Sequence, residues 1–412
     1  MNGCTQILFR YNLVVEFVIT TTNNVSWQSS INSTSQLITI NHIFSHNHNW
    51  DVYRHAHRDE LRDVEIKEVE KMLKCDTLGF RLFSCPNCGE FELVHFGCNS
   101  RLCTHCGKRY TDNWANMIAR KTFDVKHRHV VFTIPRELRS FFREDRSLLK
   151  VLMDCAIATL ADVMERKLRY KAIPGAIVVL HTYGKDMKFN PHLHCLVTEG
   201  GFKRNGMWVD VNYFPYELLR KSWQEHLLNS LKRKIEDTPE NMKLIDDLFK
   251  KHPEGFYVRA KDTINNKKGM VKYVGRYIRH PAVAESRIIS YDGNEVVFWY
   301  EDDDKIKHYV MMSVDEFIHA VIDHIPDKQF KTIRHYGVYS RGIKRKFKRL
   351  LGVVSIAQTK LTHFGGKWAP KCPNCGKKME YALTWKCKPP PKWNFGGKIS
   401  DWNYSLPSGS RW

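Results

Sequence analysis

Two CxxC pairs, Cys85-Pro-Asn-Cys88 and Cys103-Thr-His-Cys106, stand fourteen residues apart and constrain this chain more than any other feature. Tight turns at that spacing can face one another and offer four thiolates at the corners of a tetrahedron. Thiolates are soft ligands that select zinc over hard cations, and a shell of four sulfurs leaves no open position for chemistry. The spacing therefore predicts a structural Zn2+ held by Cys85, Cys88, Cys103 and Cys106, with a small domain built around it. Cys75 and Cys98 flank the knuckles, either as further ligands or as small buried residues. A third pair, Cys372-Pro-Asn-Cys375, reads as half of a second zinc site, with Cys387 as third ligand and His363 as fourth.

Twelve cysteines used in this way belong to a reducing compartment, where CxxC binds metal more often than it forms disulfides. The longest apolar stretch, Ile7 to Thr20, is interrupted by Arg10 and Glu16 and falls short of the roughly 20 apolar residues of a membrane span. Neither does the first forty residues' composition follow the plan of a signal peptide. The reading is a cytoplasmic, nucleoid-associated bacterial protein with no membrane partner. Lys and Arg total 65 against 44 Asp and Glu, and the net charge of +21 is spread along the chain, which favours nucleic acid as partner. Arg101, Lys108 and Arg109 sit beside the second knuckle and are DNA-binding candidates.

Composition divides the chain into a poorly specified leader (1–40), a zinc-binding domain (41–125), a catalytic domain (126–345) and a basic C-terminal region (346–412). No internal repeat stands out. Leu61, Val64, Ile66, Val69 and Leu73 recur at nearly helical spacing, so a helix is expected over 59–73. Strands are expected at 129–134, 176–183, 192–198 and 256–260, and a hairpin at 288–291 and 295–300 through Asp292-Gly293. Helices are expected at 147–169, with Ser147 as N-cap, and at 216–234, 240–250 and 270–279.

Two short patterns carry chemistry. In Pro191-His192-Leu193-His194 the imidazoles lie two apart on a strand and project from one face, while Leu193, Cys195 and Val197 anchor the other. Such a pair needs one more ligand to hold a divalent cation and still leave positions open for a phosphate oxygen. His181 on the preceding strand is the first candidate, with Asp186 and Glu199 behind it. A slip of one residue in strand register would turn His181 to the opposite face. Tyr273 and Tyr277 stand at i and i+4 and share one helix face among Lys272, Arg276 and Arg279, cations that suit a phosphodiester better than a dry core. Mg2+ or Mn2+ on the histidines and a phenolate nucleophile together form a consistent apparatus for cutting and rejoining DNA.

Three longer stretches, GCNSRLCTHCGKRYTDNWA, HTYGKDMKFNPHLHCLVTEGGF and KYVGRYIRHPAVAESRI, occur in this order. The chain in this respect resembles the two-tyrosine HUH transposases of the insertion-sequence ninety-one family, from about Asn41 to Arg341. The resemblance implies an α+β fold, in which an HUH endonuclease-type domain with a central antiparallel sheet flanked by helices follows a small zinc-binding domain. It further implies rolling-circle-like transposition on single-stranded DNA, with His192 and His194 as the HUH pair and Tyr273 and Tyr277 as nucleophiles. A replication initiator or relaxase shares the histidines and tyrosines but not the cysteine unit in front. A non-catalytic, zinc-stabilised DNA-binding protein accounts for the knuckles and the charge, and leaves both pairs unexplained. Trp299 and Tyr300 are available for base stacking.

Overall fold

The computed structural model describes residues 38–104, 106–107, 118, 122–123, 125–211, 214–264, 282–302, 304–343 and 369–385. Its chain contacts separate two compact units, each discontinuous in sequence. The smaller contains Glu70–Asn99 and the described part of Lys360–Trp412; the larger contains Ile38–Val69 and Ser100–Thr359. The architecture is α+β, with every strand pairing antiparallel.

In the smaller unit β1 (Phe80–Ser84) pairs on one side with β2 (Phe91–His95) and on the other with β12 (Glu380–Trp385). The third strand thus comes from about three hundred residues along the chain, as the pairing Phe80↔Trp385 shows. Among the described residues Phe83, Cys85, Cys372 and Met379 form a buried cluster of this unit, with Cys88, Val94 and Ala369 against it.

The larger unit is built on a sheet of order β11-β4-β5-β3-β7, with β6 paired to the far end of β5. The strands are β3 (His127–Phe132), β4 (Ile173–Tyr183), β5 (Phe189–Phe202), β6 (Trp208–Asp210), β7 (Val258–Ile264) and β11 (Ile333–Gly337). Strand alternation sends Val178, Leu180, Leu193, Cys195 and Val197 to one face, where they meet the helices Leu148–Leu168 and Tyr216–Lys232. Leu152, Ala156, Leu160 and Val163 recur every three to four residues on the first helix and are fully buried there. The opposite face carries Ile177, Val179, Leu196 and Phe202 under Ile118, Phe123, Val338 and Tyr339. Because both faces are covered, β4 and β5 read as nearly unbroken apolar runs.

A second sheet of the larger unit joins β8 (Ile288–Tyr291), β9 (Glu295–Glu301) and β10 (Lys307–Ser313). The expected hairpin is present, and β10 extends it. From its last residue the chain enters the helix Val314–Ile322 through a capping box formed by Ser313 and Glu316. On the other side of that helix Tyr53 bonds to His319 Nδ1 at 3.0 Å, tying the helix Asn49–Ala56 to it.

Several local expectations shift. Strand β3 begins two residues before the apolar run because backbone pairing with β5 extends over His127 and Arg128. Ser147 is already helical in its backbone and makes no side-chain cap; its amide is taken by Asp145 Oδ1 at 2.9 Å. The helix expected over 59–73 starts at Asp63, where Glu65 reaches back to the Arg62 amide at 2.9 Å. The helix expected at 270–279 lies outside the described residues. Among the described residues no helix is long and apolar enough to cross a membrane.

Candidate metal and DNA-processing site

Register decides which histidines meet. Strands β4 and β5 pair with His181 directly opposite His192, and residues opposite one another in an antiparallel ladder project from the same face. His194 follows two residues on, and one ring nitrogen from each of His181, His192 and His194 lies within 4.8 Å of the others. His192 Nε2 and His194 Nε2 are 3.1 Å apart. Two ligands at right angles, each about 2.1 Å from one ion, are separated by about 3 Å. The donor set therefore fits a single divalent ion with positions left over.

Each imidazole of the HLH pair is oriented through its other nitrogen. His192 Nδ1 donates to the Asn190 carbonyl at 2.8 Å, which leaves Nε2 to face His194. His194 Nδ1 is bonded to His129 Nε2 at 3.1 Å, and the two rings stack with centroids 5.3 Å apart. Burial pushes the pKa of His192 down, and that of His194 well down, with the neighbouring histidines adding to the latter shift. Both are held in the neutral form that ligates a metal. Tyr183 lies stacked on His181 at 5.1 Å and 13°, closing the edge of the group.

His129 escaped the sequence reading, although the alternation in His127-Arg-His129-Val-Val carries it to the histidine face. Its cross-strand position opposite Leu196 sets it beside His194. The reserve ligands are engaged elsewhere. Glu199 is buried against Arg128 and accepts from Thr263 at 2.8 Å, and Asp186 pairs with Lys188 in the β4–β5 turn.

The rim of the site is cationic. Arg139 lies close enough to lower His192 further, and its buried Nε has no hydrogen-bond partner among the described residues. A cavity of about 360 Å³ opens at His181 and Tyr183 and is also lined by Arg101, Arg146, Lys331 and Ala282. Tyr273, Tyr277, Lys272, Arg276 and Arg279 lie outside the described residues, as do Lys108, Arg109 and Cys387. The chain that holds the two tyrosines leaves β7 after Ile264, the pairing partner of His127, and is described again from Ala282 at that cavity.

The cysteines assort differently from the expectation. Cys85 and Cys88 are joined by Cys372 and Cys375 in one group, without Cys103 and Cys106. The sulfurs of Cys85 and Cys375, and of Cys88 and Cys372, are 3.4 Å apart, too far for a disulfide. Sequence spacing weights the nearest knuckle, whereas the β1–β12 ladder brings in a distant one. The backbone amide of Lys377 holds the Cys375 thiol down to about 6, which favours a thiolate. Cys75, Cys98, Cys103 and Cys106 are all buried.

Of the two stacking candidates, Trp299 lies under Lys307 at 4.7 Å and Arg287 at 5.8 Å, and Tyr300 is stacked on His308 at 5.1 Å. Tyr309, paired with Trp299 across β9 and β10, is 68% exposed.

Comparison with known proteins bears on this arrangement. Residues 45–134 match the family described as "Transposase zinc-binding domain", and residues 175–346, which contain the histidine face, match the one described as "Putative transposase". The transposase for insertion sequence element IS801 of Pseudomonas savastanoi pv. phaseolicola is 29% identical over 293 residues, 67% of this chain and 70% of that protein. The chain belongs to the transposases of the insertion-sequence ninety-one family. "Putative transposase y4qJ" of Sinorhizobium fredii is 26% identical over 310 residues, 70% of this chain and 77% of that protein. No solved structure matches the chain. As a family member the transposase acts on DNA and carries structural zinc.

Proposed function

We propose that this transposase nicks and rejoins single-stranded DNA at the ends of its element through a 5'-phosphotyrosine bond. The observation that carries the reading is the convergence of His181, His192 and His194 on one sheet face, with their nitrogens spaced for one ion. Mg2+ or Mn2+ bound there supplies charge to polarise a phosphate oxygen. His192 and His194 would hold the ion through Nε2, with Asn190 and His129 orienting the two rings through their Nδ1 atoms. Arg139 offers a guanidinium for a non-bridging phosphate oxygen.

The phenol oxygen of Tyr273 or Tyr277 attacks the phosphorus in line. A new Oη–P bond forms as the P–O3' bond breaks; the phenol loses its proton to solvent, and the departing 3'-oxygen gains one. The covalent bond conserves the energy of the broken one, so resealing needs no nucleotide. Two tyrosines let two strand ends be held in turn, which strand transfer requires. Lys272, Arg276 and Arg279, beside the tyrosines in sequence, and Arg101, Lys108 and Arg109, beside the second knuckle, are the cations that would bind backbone phosphates. Preference for a single strand is supported by the cation-flanked Trp299 and exposed Tyr309, since unpaired bases stack on such rings without regard to sequence.

Labelled single-stranded oligonucleotides carrying element ends, incubated with Mn2+ or with EDTA and run on a denaturing gel, test the reading. The expected result is a metal-dependent protein–DNA adduct that vanishes when Tyr273 and Tyr277 both become Phe. Tight binding with no adduct on any end sequence overturns it.

A further inference from the structure

The family's zinc-binding stretch ends at residue 134, and its transposase stretch ends at 346, so neither reaches Cys372 or Cys375. Yet the two knuckles are copies of one another. Residues 85–89 and 372–376 both read Cys-Pro-Asn-Cys-Gly, a five-residue repeat that a search for long repeats passes over.

Their backbones follow the same course. In each, the glycine amide returns to the carbonyl of the first cysteine, Gly89 to Cys85 at 3.0 Å and Gly376 to Cys372 at 2.9 Å. The first cysteine's amide in turn reaches past the glycine, Cys85 to the Glu90 carbonyl at 2.8 Å and Cys372 to that of Lys377 at 2.7 Å. Gly89 and Gly376 have φ of 73° and 72°. A side chain at either would meet nothing within 4 Å, so only the left-handed backbone demands glycine there.

The two turns face each other across their sulfurs. Three of the cross-knuckle separations are 3.4, 3.4 and 3.6 Å, and all four sulfurs lie within 4.8 Å of one another. A disulfide needs about 2.05 Å. Four thiolates at about 2.3 Å from a tetrahedral zinc stand about 3.8 Å apart, close to the spacing seen. Among the described residues the apolar cluster at the knuckles joins Cys85 and Cys372 with Phe83 and Met379, and Cys88, Val94 and Ala369 pack against it.

We infer that Cys85, Cys88, Cys372 and Cys375 form one closed structural zinc site, shared between the N-terminal part of the chain and a C-terminal knuckle outside both family stretches. The site stitches β12 to β1, so the smaller unit is complete only when the C-terminal knuckle is present. This inference is independent of the catalytic reading.

Zinc content of the purified full chain provides the test, with the release of metal followed by a chromogenic chelator after thiol modification. Cys372→Ser with Cys375→Ser is expected to lose one equivalent of zinc per chain. Cys85→Ser with Cys88→Ser is expected to lose the same single equivalent, and the fourfold variant to lose no more than either pair. Unchanged zinc in the C-terminal variant, or two equivalents lost in the fourfold variant, overturns the inference. Should the variants fail to fold, the unmodified protein still answers. In the zinc-loaded chain the thiols of residues 85, 88, 372 and 375 are all expected to resist alkylation and to become reactive together as the metal is withdrawn; rapid alkylation of Cys372 and Cys375 while zinc at Cys85 and Cys88 is retained overturns the sharing.

Discussion

The histidine face and the paired cysteine knuckles both gather metal-binding side chains, but they are held in place by opposite means. His181, His192 and His194 ride on central strands whose reverse faces are locked into an extensive apolar cluster beneath two helices. Packing alone sets their positions, and on the proposed function three imidazoles on one ion would leave coordination free for substrate. Among the described residues the knuckles pack on a small cluster, Phe83 and Met379 with Cys85 and Cys372, and the zinc inferred among the four thiolates would supply what so few contacts do not. A preformed open site serves chemistry; a closed site that the metal itself assembles serves architecture.

The sharpest way to break this contrast is to remove the ions. A strong chelator is expected to abolish hydrogen-exchange protection in β1, β2 and β12 while leaving β4 and β5 protected. Structural zinc contributes about 10–16 kcal/mol to small domains that depend on it, far beyond the stability such a core can provide alone. Equal loss of protection in both sheets, or in neither, would erase the distinction.

A smaller effect comes from acid acting on the larger unit. His324 is buried, bonded by Nε2 to the Met187 carbonyl at 2.8 Å and by Nδ1 to Thr182 at 3.2 Å, and burial lowers its pKa to about 4. The ordinary value is 6.5, so the unfolded chain takes up its proton first as pH falls. Stability is therefore full above pH 6.5 and drains away down to about pH 4, by about 3 kcal/mol in all. Urea unfolding of the wild type and of His324→Gln across this range is expected to show a shallower pH dependence in the variant. Parallel curves would remove His324 from the account.

The smallest expected effect lies in how the open site is tuned. His129 bonds to His194 Nδ1, the nitrogen turned away from the proposed ion, so it is a positioning residue. His129→Leu is expected to raise the Mn2+ concentration for half-maximal adduct formation about 10- to 100-fold, with the rate at saturating Mn2+ nearly kept. His129→Gln, which can still accept from His194, is expected to recover part of the affinity. A fall in the saturating rate without a change in Mn2+ dependence would mean that His129 does not act through the ligand.

How much of this was legible beforehand varied with the range of the interaction. The alternation around His192 and His194 assigned the two faces of β5 correctly, since Leu193, Cys195 and Val197 all enter the helix-covered core. The β8–β9 hairpin was legible from its Asp-Gly turn, and the capping box at Ser313 and Glu316 was equally readable but overlooked. These features depend on residues a few places apart, where side-chain direction follows from backbone period alone.

The sequence by itself determined the two-residue spacing of the histidines, the CxxC turns and the apolar stripes that bury one side of each helix and strand. Tertiary structure alone decided that His181 stands opposite His192, because strand register is chosen by packing of whole faces and a single slip reverses it. It alone decided that Cys85 and Cys88 take Cys372 and Cys375 as partners, because a knuckle contributes only two ligands and any other can complete its tetrahedron. That choice belongs to the β1–β12 ladder, which closes a loop of about three hundred residues and leaves no trace in local spacing.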